Sequence, residues 1–226
     1  MTSTKLSRAA AVSAVLSGLL YVGIQFIHPE ETVAAVSTNA WVVVALLTVA
    51  MAVLGLVGVT GIYLRQTEET GILGLLGYLS FGLFFLLPIA FSFAEALILP
   101  LIVSDAPGFV ESFNGLFNGE GTDGTLGALE SISTVAGVLY LAGGVLFGIA
   151  VLRARILWSW AAILLIAGAV VTPLTALVPH EVGRFAAVPV GVALIGLGLS
   201  LWSERKEATS RESLGVPTSP TTQPAV

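Results

Sequence analysis

Residues 71–103 read GILGLLGYLSFGLFFLLPIAFSFAEALILPLIV, and this stretch decides the solvent in which the chain folds. It carries one charged residue, Glu95, and exceeds the ~20 apolar residues that a helix needs to cross a bilayer. Pro88 and Pro100 interrupt it, and proline removes a helical hydrogen bond and clashes with the preceding turn. The stretch therefore predicts a membrane-spanning helix with a kink near its middle.

Five further apolar runs flank this stretch and predict a polytopic membrane protein. Only helices and closed barrels satisfy every backbone polar group in lipid, and continuous Leu-, Ala- and Gly-rich runs lack the alternation of barrel strands. The predicted fold is an all-α bundle of six transmembrane helices in one domain, residues 1–206. The predicted spans are 6–27, 40–64, 71–99, 128–152, 156–178 and 185–203.

The composition supports the same fold class and excludes several chemistries. Of the 226 residues, 56% are hydrophobic and 10% are charged, whereas soluble domains carry about 25% charged residues. The chain has no cysteine, which excludes disulfides, thiol catalysis and iron–sulfur clusters. It has no P-loop, no HExxH motif and no basic patch. We therefore expect no cofactor, no metal site and no nucleic-acid partner.

The positions of the basic residues predict the orientation. Eight of the nine Lys and Arg residues fall in gaps that six spans would place on one side, and only Arg184 falls on the other. Because basic residues concentrate in cytoplasmic loops, we predict that both termini are cytoplasmic. Alternatively, the first run is a cleaved signal peptide, which would leave five spans. Residues 207–226, rich in Pro, Ser and Thr, are predicted to be a disordered cytoplasmic tail.

The longest loop, residues 104–125, contains a short amphipathic pattern. Its large apolar residues recur at three- and four-residue spacing, and its polar residues fall on the opposite face. The apolar set is Phe109, Val110, Phe113, Leu116 and Phe117, and the polar set is Glu111, Asn114 and Asn118. The pattern predicts a helix from Pro107 to Gly119 in the outer headgroup region. This helix either rests its aromatic rings on lipid or covers an outward-facing cavity.

Glu95 is the deepest acidic residue in the chain and the first candidate for a functional site. A carboxylate within the membrane costs roughly 2.5–3.5 kcal/mol on insertion scales and is a functional hypothesis by default. Ser92 and Pro88 precede Glu95 at three- and four-residue steps and share its face. Alternatively, the helix ends near Pro100 and Glu95 lies in the hydrated interface.

The outer ends of the first and fifth predicted spans supply further candidates. One reads FIHPEE and the other LVPHEVGR, so each places a His beside a Glu. The two ends are either a distant internal repeat or two ordinary helix stops. If they are a repeat, His28, Glu130, His180 and Glu181 are predicted to converge with Glu95 at the outer mouth of the bundle. Gln25, at the outer end of a polar stripe on the first span, is a further candidate. His and carboxylate groups there suit a divalent metal, a proton relay or a cationic ligand, but no two His residues share a helix, so a metal site is not expected.

Three functions fit these features. The leading hypothesis is an integral membrane protein that binds a small molecule or a lipid at an outward-facing site, with or without transport. The second is an accessory or structural subunit whose Gly-rich helix faces pack against a membrane-protein partner. The third is an intramembrane lipid or isoprenoid enzyme with Glu95 or Glu130 as a general acid.

One segment also carries a family resemblance. Residues 152–181, LRARILWSWAAILLIAGAVVTPLTALVPHE, together with the plan of six spans, resemble an uncharacterised family of bacterial six-helix integral membrane proteins with a conserved domain of unknown function. At motif level the resemblance covers the fourth to sixth helices. The resemblance gives no residue a role. The acidic, Lys-poor composition and the Pro- and Thr-rich tail suggest a bacterial plasma membrane, with the lipid bilayer as a partner.

Overall fold

The computed structural model describes residues 3–118, 126–172 and 183–213, and this part of the chain is helical and contains no strand. The predicted all-α fold is confirmed. Short 3-10 turns at Ala35–Ser37, Gly127–Ser131 and Arg184–Ala187 precede three of the α-helices. The α-helices are α1 (Ser3–Ile27), α2 (Asn39–Arg65), α3 (Thr67–Leu97), α4 (Leu99–Ile102), α5 (Pro107–Asn118), α6 (Ile132–Ala154), α7 (Ser159–Val171) and α8 (Val188–Ser213).

Within the described residues, five helical stretches are long and apolar enough to cross a membrane. They are Thr4–Ile27, Asn39–Arg65, Thr67–Ile102, Gly127–Ala154 and Arg184–Glu204. The remaining predicted span, 156–178, contains the shorter apolar helix α7 and continues into residues that lie outside the described part. The helix α8 extends to Ser213, past the predicted start of the tail at residue 207, and residues 214–226 are also outside the described part.

The helices pack as a closed ring in chain order. Each of α1, α2, α3, α6, α7 and α8 contacts the next in this series, and α8 returns to pack against α1. Every interface in the ring contains a glycine, and atoms of the neighbouring helix occupy the space that a side chain would need. For example, Gly58 of α2 contacts the backbone of Ala14, and Gly191 of α8 contacts the carbonyl oxygen of Gly18. Small residues allow such close approach between membrane helices.

The interface between α3 and α6 shows this packing most clearly. Gly77 of α3 faces the backbone of Phe147, and Gly143 of α6 faces the backbone of Phe81. Each helix thus sets a glycine against the phenylalanine of the other. As a result, Phe81 and Phe147 lie fully inside the bundle, where Phe81 packs on Phe85 with ring centroids 5.0 Å apart.

Different contacts mark the two ends of the bundle. At one end, which we call the Arg65 end, Arg65 forms an ion pair with Glu204, and Arg8 lies 5.7 Å from the centre of the Trp202 ring. The other end holds α5, and we call it the α5 end. There, Nη1 of Arg184 donates a hydrogen bond to the carbonyl oxygen of His28 at 3.3 Å.

The sequence predicted a kink near Pro88 in α3. The backbone dihedral angles remain helical through Pro88, and the non-helical residue within the helix is Gly71, with φ 53° and ψ −144°. A residue with a side chain would be strained in that conformation, which is close to glycine-only. The helix ends at Leu97, because Pro100 in the first turn of α4 has no N–H to continue the hydrogen-bond ladder. Glu95 therefore lies in the last turn of α3.

Candidate ligand-binding cavity

A cavity of about 260 Å³ lies at the α5 end, between α2, α3 and α6. Its polar lining comes from the loop after α1, from α2 and from the last turns of α3. Most of the remaining wall is aromatic or aliphatic. The polar and aromatic lining residues are His28, Glu31, Trp41, Thr48, Phe84, Phe91, Ser92 and Glu95.

Glu95 is the carboxylate of the α3 wall and is half-buried. Ser92, one turn earlier on the same helix, also lines the cavity and is buried, with 5% of its surface exposed. Among the described residues, no Lys or Arg forms an ion pair with Glu95. A charge at Glu95 is thus not neutralised by a basic residue of the described part of the chain.

Trp41 fixes the position of Glu95 from the opposite wall. Its indole Nε1 donates a hydrogen bond of 3.0 Å to the backbone carbonyl oxygen of Glu95. The last carbonyls of a helix have no intrahelical partner, so this indole supplies the acceptor with the hydrogen bond that the helix cannot provide. Trp41 is itself buried at the start of α2, where the side chain of Thr38 caps the helix by accepting from the Trp41 N–H.

The loop after α1 adds His28 and Glu31 to the cavity. The Nδ1 atom of His28 lies 2.9 Å from the carbonyl oxygen of Pro29, which favours the tautomer with a proton on Nδ1 and leaves Nε2 as an acceptor. Arg184 holds the backbone of His28 by donating a hydrogen bond to the His28 carbonyl oxygen. Both His28 and Glu31 lie close enough to act electrostatically on Glu95. The cavity therefore combines an imidazole with two carboxylates.

The short helix α5 covers one side of this region. Phe113 of α5 stacks on Phe91 of the cavity wall, with ring centroids 5.1 Å apart. Val110, Phe113 and Leu116 are buried in a small cluster that also contains Trp41. The predicted helix is confirmed at Pro107–Asn118, but Asn114 was expected on the polar face and is instead buried. The apolar face of α5 is thus turned to the protein, although Phe109 remains 38% exposed.

Aromatic rings fill the bundle below the cavity, towards the Arg65 end. Phe84 lines the cavity and packs on Tyr140 of α6, with ring centroids 4.8 Å apart. It also meets Phe85, which is fully buried, at 5.6 Å. The hydroxyl of Tyr140 lies near Tyr21 in the interior. The cavity is therefore blocked on its inner side by tightly packed rings.

The structure brings together three of the seven residues predicted for the site: Glu95, Ser92 and His28. Two others lie elsewhere. The amide of Gln25 donates to the carbonyl oxygen of Tyr21 at 3.0 Å, and the Glu130 carboxylate accepts from the Leu126 N–H at 3.3 Å. His180 and Glu181 lie outside the described residues.

Five of the polar and aromatic lining residues were not anticipated from the sequence: Glu31, Trp41, Thr48, Phe84 and Phe91. Glu31 lies in the FIHPEE segment that drew attention to His28, whereas nothing local marks the other four among the many apolar residues around them.

Comparisons with protein-family models, with curated proteins and with solved structures find no match for this chain. The resemblance to bacterial six-helix membrane proteins stays a prediction. Among the described residues, no three His, Asp or Glu side chains are arranged to hold a metal ion. The chemistry of the site must therefore be inferred from the residues that line the cavity, which are two carboxylates beside aromatic rings.

Proposed function

We propose that this protein is a multi-pass protein of the bacterial plasma membrane that binds a small molecule or a lipid headgroup in the cavity at the α5 end. The observation that carries the proposal is Glu95, which lines the cavity, whose backbone is held by Trp41, and which has no basic partner among the described residues. A carboxylate in an apolar wall is costly unless a ligand or a proton compensates it.

The proposed topology has six spans, with the α5 end facing outwards. The start of α7 lies beside Ser200 in the middle of α8, because the Trp158 N–H donates to the Ser200 hydroxyl at 3.0 Å. Gly168, further along α7, packs against Val190 near the start of α8. These contacts support antiparallel packing of α7 on α8, as a sixth crossing requires. The basic residues at the Arg65 end would then be cytoplasmic.

An accessory role has less support from the described residues. The glycines of α2 that motivated it pack inside the chain: Gly55 receives the ring of Phe85, and Gly58 receives the backbone of Ala14. They are therefore not available as a docking face for a partner. An enzymatic role with Glu130 as the general acid has less support, because Glu130 lies in the 3-10 turn before α6, does not line the cavity and accepts from the Leu126 N–H.

Native mass spectrometry of the gently solubilised protein tests the proposal. Glu95→Gln keeps the shape of the side chain and removes its charge. We expect the wild-type protein to retain a bound small molecule or lipid that the variant loses. Glu111→Gln is the matched control, because Glu111 lies exposed on α5 and does not line the cavity.

A bare chain in all three samples would contradict ligand binding at this cavity. Equal retention by the wild-type protein and Glu95→Gln would show that any bound molecule sits elsewhere. A protein that co-purifies with the wild-type chain and with both variants would favour the accessory role instead.

A further inference from the structure

The charge of the cavity wall selects among ligands. Two carboxylates, Glu31 and Glu95, line the cavity, and none of its lining residues is Lys or Arg. Arg184, which lies at the same end, is directed elsewhere: it donates to the His28 carbonyl oxygen and sits 5.4 Å from the centre of the Phe185 ring. A cation that enters the cavity is therefore attracted, and an anion is repelled, with little screening in so apolar a place.

The walls around the carboxylates suit an organic cation better than a metal ion. Trp41, Phe84 and Phe91 present aromatic rings to the cavity, and Leu87 and Pro88 add aliphatic surface. Ammonium groups are attracted to the faces of aromatic rings within about 6 Å, and aromatic walls beside an acid are a recurrent way of holding alkylated ammonium groups. A metal ion would instead need several oxygen or nitrogen ligands in close array, which the described residues do not provide.

The size of the cavity limits the ligand. Its volume of about 260 Å³ lies just under the ~300–1,000 Å³ of typical small-molecule pockets. The packed rings of Phe84 and Tyr140 close it on the inner side, so a long chain has no room to extend towards the Arg65 end. A compact head with a short apolar part fits this space.

From these features, and resting on the proposed function, we propose that the ligand is a small organic ammonium ion. Its charged group faces Glu95 and the aromatic rings, and its apolar part contacts Leu87 and Pro88. Glu31 lines the same cavity. An ammonium group reaches such a site either as a free solute or as the headgroup of a lipid, and both sources share this chemistry.

Isothermal titration calorimetry on the full chain in maltoside micelles tests this proposal. The ammonium probes are choline and butylammonium, and the neutral probe is 3,3-dimethylbutan-1-ol, in which a carbon replaces the quaternary nitrogen of choline. Salt is held constant throughout. We expect at least one ammonium probe to bind about tenfold more tightly than the neutral probe, which corresponds to a single well-placed charge interaction. We expect Glu95→Gln to remove this preference and Glu111→Gln to preserve it.

A further titration separates the two sources. Dihexanoyl phosphatidylcholine, used below its micelle-forming concentration, presents the choline group on a lipid. Tighter binding of this lipid than of choline assigns the site to a headgroup, and weaker binding assigns it to a free solute. Both outcomes support an ammonium ligand.

Other outcomes overturn the ligand class and separate its failure from that of the cavity. Equal binding of the neutral and ammonium probes, unchanged in Glu95→Gln, would reject the ammonium ligand. So would the absence of ammonium binding in a protein that retains a neutral or anionic molecule in native mass spectrometry, and in that case the cavity remains a ligand site. The absence of binding in both experiments rejects both proposals. Matching gel-filtration profiles for the variants establish that each has folded.

Discussion

Whether a polar side chain reaches the cavity depends on whether a backbone N–H or carbonyl group nearby can form a hydrogen bond with it. Gln25 reaches back one turn to the carbonyl oxygen of Tyr21, and Glu130 accepts from the N–H of Leu126 four residues earlier. Ser92 and Glu95, one turn apart on α3, instead both line the cavity. The sequence predicts that all of these residues lie towards the α5 end of the bundle, but it does not reveal which of them form hydrogen bonds with their own backbone. Short-range hydrogen bonds of this kind compete with any longer contact.

Trp41 is the residue that connects the two walls of the cavity, and its replacement tests that role. We expect Trp41→Phe to lower the free energy of unfolding by about 1–3 kcal/mol, because the Glu95 carbonyl oxygen loses its only described donor in a partly buried place. Ligand retention should fall as well, since the end of α3 is then less firmly positioned. Chemical unfolding in mixed micelles measures the first effect and native mass spectrometry the second.

Trp158→Phe is the matched control for this substitution. Trp158 is 41% exposed, and its ring stacks on Trp160 at a centroid distance of 6.1 Å, a contact that phenylalanine preserves. Its replacement should change the free energy of unfolding much less. Equal losses in the two variants would mean that the hydrogen bond to Glu95 adds nothing beyond the size of the ring.

Among the elements, local signals predicted some features well and others poorly. The start of α5 at Pro107 follows from a local signal, because proline favours the first position of a helix without help from distant residues. The rotation of α2 and α6 does not follow in the same way. Both helices are apolar on all sides, so no stripe in their sequences shows that Trp41 faces Glu95 or that Ala136 faces the cavity. Their rotation is set by the close glycine contacts, which depend on the neighbouring helix.

The contact of α6 with α3 can be tested within one helix by two identical substitutions. A methyl group at Gly143 would lie 2.6 Å from the Cα atom of Phe81, whereas a methyl group at Gly137 would meet no other atom within 4 Å. We expect Gly143→Ala to destabilise the protein by about 1–3 kcal/mol, because the backbones of two packed helices must separate. Gly137→Ala should be neutral or stabilising by up to about 1 kcal/mol, because alanine favours helix. Thermal unfolding in micelles compares the two, and a similar loss in both would argue against tight packing at Gly143.

For the whole molecule, closure of the ring links the predicted charge pattern to the observed packing. Because α8 packs against α1, residues near the beginning and end of the ring meet: Arg8 lies over Trp202. The ion pair of Arg65 with Glu204 joins the end of α2 to the same place. The charge pattern alone predicted that these basic residues share one side, and the fold brings them to one end of the bundle. What the pattern did not provide is the order of packing around the ring, which arises from contacts between helices.

The number of crossings remains to be tested, and the lack of cysteine makes a direct test available. The helix α7 has 13 residues, about 20 Å of helix, whereas the hydrocarbon core is about 30 Å thick. A sixth crossing must therefore also use part of residues 173–182.

Single cysteines at Glu111, Glu68 and Ser210 can be labelled in intact cells with a membrane-impermeant maleimide. With six spans, Glu111→Cys reacts from outside, whereas Glu68→Cys and Ser210→Cys react only after permeabilisation. If α7 does not cross, the chain after α8 changes sides and Ser210→Cys reacts in intact cells, while the other two positions keep their pattern. Reaction of Glu68→Cys in intact cells would instead reverse the whole orientation and place the cavity on the cytoplasmic side.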